Sequence, residues 1–348
     1  MSADGLIRIE AVDDGVAAEW DAYVCSRDAA SMYHRYRWRQ IIRDVFDRET
    51  FYLAARRGGV IRGVLPIVRL QSRIFGHFLV SLPYLNYGGI VADSADIEHK
   101  LFAHGSELAR DLGASHLELR HTRPMFEGLP VRTDKVSMLL DLPDSPDVLW
   151  KALGSKVRAQ IRRPQREGAV CNHGGEELLD DFYAVFAENM RDLGTPVYPR
   201  RFFAEILSAF PRETRIFVVR LDGSAVAAGF VIGDGRSLEI PWASSLRRAN
   251  PLGVNMLLYW SVLEFACLQG FATFDFGRST VDSGTYRFKK QWGARPVQLY
   301  WHYWMRNAGE PPRINHSNPK FDLAVAAWRR LPLAIANRLG PLLIRNLP

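Results

Sequence analysis

Residues 50–70, TFYLAARRGGVIRGVLPIVRL, and residues 214–234, TRIFVVRLDGSAVAAGFVIGD, follow one plan. In each, two runs rich in β-branched and apolar residues flank a tight pair, Gly58-Gly59 or Asp222-Gly223, and that pattern predicts a β-hairpin. Working outward, the repeat lengthens. HFLVSLPYLNYGGIV (77–91) and RSLEIPWASS (236–245) read as third strands. IEHKLFAHGSELARDLG (97–113) and VNMLLYWSVLEFACLQG (254–270) read as helices stopped at Gly113 and Gly270, where a left-handed C-cap fits. Each helix runs directly into an alternating strand, SHLELRH (115–121) or ATFDFGR (272–278). An antiparallel hairpin sheet, a helix and a further strand, present twice, predict an α+β protein built from a duplicated unit.

The junction is DLPDSPDVLW, with three aspartates and two prolines (141–150). The expected domains are therefore 1–143 and 144–307, with 308–348 as a tail of short amphipathic helices. The chain has 348 residues, 47% hydrophobic and 24% charged, enough apolar material for large cores. A mixed, acidic N-terminal segment argues against a signal peptide, and no apolar run approaches the ~20 residues that span a bilayer. The reading is cytoplasmic, with the inner face of the membrane as a second location. Cys25, Cys171 and Cys267 are far apart in no CxxC pair, and the nine histidines show no ligand spacing, so no metal site is expected. A net charge of +7 favours an anionic partner.

The stretch FDFGRSTVDSGTYRFKKQWG (274–293), together with YLNYGGI (84–90), LGSKVRAQIRRPQREG (153–168) and NPLGVNMLLYW (250–260), resembles the FemAB family. It is most similar to the FemAB-like proteins associated with exosortase/PEP-CTERM exopolysaccharide gene clusters. The resemblance runs to about Asn307 and implies two GNAT-like domains that transfer an acyl or aminoacyl group. Well-known members move an amino acid from aminoacyl-tRNA to the side-chain amine of a cell-wall precursor peptide. The long coiled-coil arm of some members has no counterpart here, since no stretch shows several heptads. The implied donors are aminoacyl-tRNA or acyl-CoA. The implied acceptor is an amine or hydroxyl on an envelope, exopolysaccharide or peptidoglycan precursor, reached in the cleft between domains. Alternatives are an ordinary acyl-CoA-dependent N-acyltransferase and a non-catalytic module that binds a polysaccharide intermediate.

Acyl transfer passes through a tetrahedral oxyanion, which needs a fixed positive charge or convergent N–H donors. Lys289, in the FK step of the family-like motif, is the first candidate, with Lys290 as its neighbour. Helical spacing sets Tyr286 three and four residues before them, on one face. Asp275 lies opposite Phe274 and Phe276 by strand alternation and is either a general base or the structural partner of Arg278 or Lys289. Arg278, Ser279 and Trp292 complete the motif's candidates for substrate contact.

Arg247, Arg248, Asn250, Gly253 and Asn255 precede and open the second-half helix, where acetyltransferases hold the coenzyme A pyrophosphate. The usual pattern there has Arg or Gln, then Gly, then Gly or Ala, and Asn250 and Asn255 depart from it. Lys156, Arg158 and Arg162 belong to a basic segment without acids from 151 to 166, suited to a phosphate- or diphosphate-linked sugar or peptide, or to tRNA. Pro164 should break or kink its helix. Tyr84, Asn86 and Tyr87 precede a Gly pair and are candidates for lining an acceptor site. The tail WRRLPLAIANRLGPLLIRNLP (328–348) either packs back on the second domain or lies in a membrane interface.

Overall fold

The computed structural model describes residues 6–307, 309–312 and 319–348. β1 (Arg8–Val12), α1 (Ala17–Cys25) and α2 (Arg37–Phe46) lead into the first hairpin, β2 (Thr50–Arg57) and β3 (Val60–Ser72). β4 (Gly76–Val80), β5 (Val91–Ala92), α3 (Ala95–Asp111), β6 (His116–His121), β7 (Val131–Arg132) and β8 (Lys135–Asp141) follow. Next come α4 (Pro146–Ala152), α5 (Ser155–Arg166), β9 (Val170–Gly174), α6 (Leu179–Leu193) and α7 (Arg200–Ala209). The second hairpin is β10 (Thr214–Leu221) and β11 (Ser224–Asp234), followed by β12 (Ser237–Ser245), α8 (Val254–Leu268), β13 (Thr273–Thr280) and α9 (Gly284–Lys290). β14 (Arg295–Gln298), β15 (Tyr300–Met305), α10 (Pro319–Arg329) and α11 (Leu333–Ile344) close the chain.

Two sheets result, ordered β1-β2-β3-β4-β6-β15-β7, with β5 on β3, and β14-β8-β13-β12-β11-β10-β9. Both hairpins turn through residues at positive φ, Gly58 and Gly59 at 56° and 81°, Asp222 and Gly223 at 49° and 76°. That is the turn whose twist matches paired strands. In each sheet a helix then crosses over to a parallel strand. Leu79 and Val80 of β4 face Leu117 and Glu118 of β6 in register. Ser237, Leu238 and Glu239 of β12 face Thr273, Phe274 and Asp275 of β13.

The chain divides into two compact units that interleave in sequence. Among the described residues, the first takes in those up to Lys135, those from Gln298 to Pro312, and Arg345–Pro348; the second takes in Val136–Val297 and Pro319 to Ile344. This differs from the expected breaks after 143 and 307. β8, from the end of the first half, joins the second sheet, and β15, from the end of the second half, joins the first. Strand partners so distant in sequence carry no local signal. The expected separate tail also differs, since α10 and α11 lie within the second unit. A side chain at Gly194, at the end of α6, would strike Val325 of α10, and one at Gly340 of α11 would strike the backbone at Val197.

The second unit's core is built on α8, whose Val254, Leu257, Leu258, Val262, Leu263 and Ala266 are buried. A helix apolar around most of its circumference needs cover on several sides, and α4, α5 and the sheet supply it. Pro164 does not break α5; it sits in the last turn of Ser155–Arg166.

The first unit buries an ion pair. Arg120 Nε donates to Glu118 Oε1 at 2.8 Å, with side chains 1% and 5% exposed. Tyr303 on β15 donates its hydroxyl to the other carboxylate oxygen at 2.6 Å, and a second guanidinium nitrogen donates to the Leu85 carbonyl at 2.7 Å. Burial pushes the Glu118 carboxyl up, yet the Arg120 charge and the Tyr303 hydrogen bond outweigh it and hold the group below its ordinary value. Arg120→Ala would leave an uncompensated buried carboxylate, and a loss of about 3–5 kcal/mol is expected in urea unfolding. The double replacement Glu118→Leu/Arg120→Met should recover most of it.

Candidate functional site

Pairing between β12 and β13 stops at Glu239–Asp275, although β12 continues to Ser245 and β13 to Thr280. The strands fork there. A bulge helps to bend β12 away, because Phe230 of β11 faces Trp242 whereas Ile232 faces Glu239, an extra residue on the β12 side. On the other arm, Gly277 sits at φ +74°, a conformation that a side chain would resist. Its N–H donates to Asp275 Oδ1 at 2.7 Å, and the Ser137 hydroxyl of β8 donates to the same oxygen at 2.6 Å. Glu239 and Asp275 are both buried at this fork.

Into it turns Lys289. The Ser283 hydroxyl caps α9 by accepting from the Tyr286 N–H at 3.1 Å. One side of the short helix packs Phe288 against Tyr259 and Trp292, with ring centroids 5.0 and 6.3 Å away. Lys289 is 8% exposed, and its Nζ donates to the carbonyls of Gly277 at 2.9 Å and Arg278 at 2.8 Å. Burial lowers its pKa to about 8, against the pull of the Asp275 and Glu239 carboxylates, while Arg278 adds to the lowering. An ammonium has three donors, so one N–H is left beyond these two bonds. The Ser279 hydroxyl, beside the Arg278 carbonyl in the chain, is buried and has no hydrogen-bond partner among the described residues. Unmet donors and acceptors in a buried place are the condition under which a bound ligand gains most from hydrogen bonding.

The structure separates the other candidates. Tyr286 is half-buried. It packs on the core, and the exposed Lys290 is the lysine beside it, with Nζ 6.0 Å from the ring centroid. Trp292 is 2% exposed and part of the core rather than a free wall. Its edge, with Lys290, Leu140, Leu142, Val148 and Leu153, lines a cleft of about 440 Å³. Asp275 serves as the acceptor that holds the Gly277 bend. Arg278 is half-buried.

Arg158 is half-buried. It donates to the carbonyls of Leu153 at 2.7 Å and Lys151 at 3.2 Å and so closes the end of α4. Arg162 lies 5.1 Å from the centroid of the Trp150 ring, and Lys156, Arg162, Arg163 and Arg166 are exposed. Arg248 pairs with Glu188 at 2.6 Å, and Asn250 Oδ1 accepts from the Ser245 hydroxyl at 2.7 Å. Arg247 is exposed and Asn255 lies in the first turn of α8. The Gln160 carbonyl of α5 lies 3.4 Å from the place a Gly253 side chain would take, so α5 passes close to the start of α8. In the first unit, Tyr84 is buried, stacks on Phe46 and donates its hydroxyl to the Arg345 carbonyl at 2.8 Å. Asn86 is also buried, and Tyr87 lies 6.1 Å from Tyr33, centroid to centroid.

Glu239 and Ser137 at the fork escaped the sequence reading. The signal for Glu239 was present, a lone acid between Leu238 and Ile240 in an apolar strand. Among the described residues no group of three or more His, Cys, Asp or Glu could hold a metal ion.

Residues 155–290 match the family model described as an acetyltransferase (GNAT) domain. No curated protein matches the chain. Among solved structures, FemX superimposes with a TM-score of 0.64 at 14% identity, covering 84% of this chain and 96% of FemX. The C-terminal domain of a protein named as a lysylphosphatidylglycerol synthetase from Agrobacterium fabrum gives 0.58 at 15% identity, covering 90% and 95%. A tandem GNAT protein from the clavulanic acid biosynthesis pathway gives 0.51 at 13% identity, covering 88% and 100%. The fold is thus that of tandem GNAT proteins, FemX-like in architecture.

A buried lysine also predicts a pH response. Its folded pKa of about 8 lies below the ordinary 10.5, so between these values the unfolded chain binds the extra proton. The stability contributed by Lys289 is lowest below pH 8 and rises towards pH 10.5. In urea unfolding from pH 7 to 10.5, the wild type should therefore gain stability relative to Lys289→Met.

Proposed function

We propose that this protein transfers an acyl or aminoacyl group to an amine or hydroxyl on an anionic cell-envelope, exopolysaccharide or peptidoglycan precursor. The observation that carries this reading is the Lys289 ammonium, buried at the strand fork, fixed by two carbonyls and holding one further N–H. When the acceptor attacks the donor's carbonyl carbon, the new C–N or C–O bond forms as the carbonyl electrons move onto oxygen. The remaining Lys289 N–H donates to that oxyanion. Collapse expels the donor's leaving group, the tRNA ribose oxygen or the coenzyme A sulfur, and the acceptor's proton passes to solvent or to the substrate's own phosphate. Because the ammonium is held before the substrate arrives, it needs no reorganisation at the moment of reaction.

Aminoacyl donors are supported by the fold shared with FemX and with the protein named for lysylphosphatidylglycerol synthesis. Exposed Lys156, Arg162, Arg163 and Arg166 offer charge to a phosphate-bearing substrate. Acyl-CoA is the second reading, favoured by the acetyltransferase family match. Against it stand Asn250 and Asn255 in the usual phosphate loop and the approach of α5 to Gly253. Thermal unfolding separates the two. A ligand at 100 times its Kd stabilises by ~2.7 kcal/mol, so a shift with coenzyme A and none with aminoacyl-tRNA would select the second reading.

Lys289→Ala should lower the transfer rate by ~10²-fold or more with a cooperative unfolding transition retained. Unchanged activity would remove Lys289 from the mechanism. Wild-type activity should fall as pH rises through about 8, where Lys289 loses its proton. Lys289→Arg, charged throughout that range, should lack this alkaline limb in whatever activity it keeps.

A further inference from the structure

The two closing helices have two faces each. Ala336, Gly340 and Ile344, at i, i+4 and i+8, form the buried face of α11, and Val325 is the contact of α10 with α6. On the other sides of both helices large apolar side chains are exposed. Leu323 is 71% exposed, Ile335 45%, Leu339 42% and Leu342 53%, and on α11 the spacing 335, 339, 342 lines three of them into one stripe. Contiguous exposed leucines and isoleucines of this kind mark an interaction surface.

We propose that this face of α10 and α11 docks onto an anionic lipid bilayer. Arg338 falls within the stripe's own edge, between Ile335 and Leu342, and Arg330 stands exposed at the corner between the helices. From residue 319 to 348 the sequence holds five basic residues and one acid, Asp322. An apolar stripe bordered by arginines is the pattern of a helix lying at the headgroup level, where the leucines enter the acyl boundary and the guanidinium groups meet lipid phosphates. Twelve residues of helix span ~18 Å, short of the ~30 Å hydrocarbon core, and no described helix is long and apolar enough to cross a membrane. The helix lies on the surface rather than spanning it. A second copy of the chain is a poorer occupant, because a two-fold contact through α11 would place Arg338 against its own copy with no acid on α11 to neutralise the pair.

This inference stands apart from the proposed chemistry, since it needs neither Lys289 nor a particular donor. The full chain should float with vesicles of phosphatidylcholine and phosphatidylglycerol and not with phosphatidylcholine alone, with binding weakened by 0.5 M salt. Leu339→Asp/Leu342→Asp and, separately, Arg330→Glu/Arg338→Glu should each reduce flotation about 10-fold or more. All four side chains are exposed, so thermal unfolding of either variant should match the wild type, and the arginine pair keeps the test valid if the leucine variant unfolds. Absence of flotation with the anionic vesicles would overturn the proposal, as would undiminished flotation of both variants. So would a lipid-free dimer, seen by light scattering, that the leucine variant dissolves.

Discussion

Two hydrogen bonds from one ammonium, Lys289 to the carbonyls of Gly277 and Arg278, tie together the parts of the second unit on which the proposed chemistry rests. They fasten α9 to the free arm of the fork. They also set the rotation of that helix, so that Phe288 meets Tyr259 while the lysine enters the sheet. The bend at Gly277 makes both carbonyls reachable, and Asp275 holds the bend through the Gly277 N–H. A charge in such a place is costly to bury. The cost is offset by the two carbonyls and by the nearby carboxylates of Asp275 and Glu239, which pull the pKa back towards its ordinary value.

The two units answer the same topological problem differently. In each, a crossover helix returns the chain to a parallel strand with a buried carboxylate in register, Glu118 beside Val80 and Asp275 beside Glu239. Around Glu118 the first unit closes its polar groups among themselves, although the buried Tyr52 hydroxyl elsewhere in that unit has no partner among the described residues. Glu118 takes Arg120 and Tyr303, Arg120 takes the Leu85 carbonyl, and the Ser81 hydroxyl accepts from the Arg120 N–H at 2.9 Å. The second unit leaves a lysine N–H and the Ser279 hydroxyl without partners among the described residues. A closed polar network rigidifies, whereas an incomplete one is the expense a binding site carries until its ligand arrives. That contrast between the two crossover strands is in keeping with the chemistry proposed for the second unit.

Much of the architecture was legible because it was local. Gly58-Gly59 and Asp222-Gly223 announced the hairpins, Gly113 and Gly270 ended the helices, and both sit at φ +76°. The alternation of FDF separated Asp275 from Phe274 and Phe276, which join the core that surrounds α8. What escaped was long-range. Nothing near residues 135–141 or 300–305 says which sheet each strand will join. The partner of Lys289 was equally hidden, because Tyr286 and Lys289 lie about 60° apart on α9 at any rotation, and a rotation that turns both into one pocket is only one of those the helix can take. The aromatic packing of Phe288 and Trp292 and the bend at Gly277 chose another rotation.

The net charge of +7 also means something different once each arginine is placed. Arg56 serves Glu10 and Glu19, Arg120 serves Glu118, Arg158 serves the end of α4, and Arg248 serves Glu188. These cations hold the fold and have little left for a partner. Among those turned to solvent are Lys156, Arg162, Arg163 and Arg166 on α5, and Arg330 and Arg338 on the closing helices. An exposed guanidinium next to apolar surface is a different instrument from one on a polar helix. The first suits the boundary between phosphate and hydrocarbon, the second a phosphate in water. The cations of α5 and those of the closing helices thus suit two chemistries, distinguished by what lies beside each cation rather than by their number.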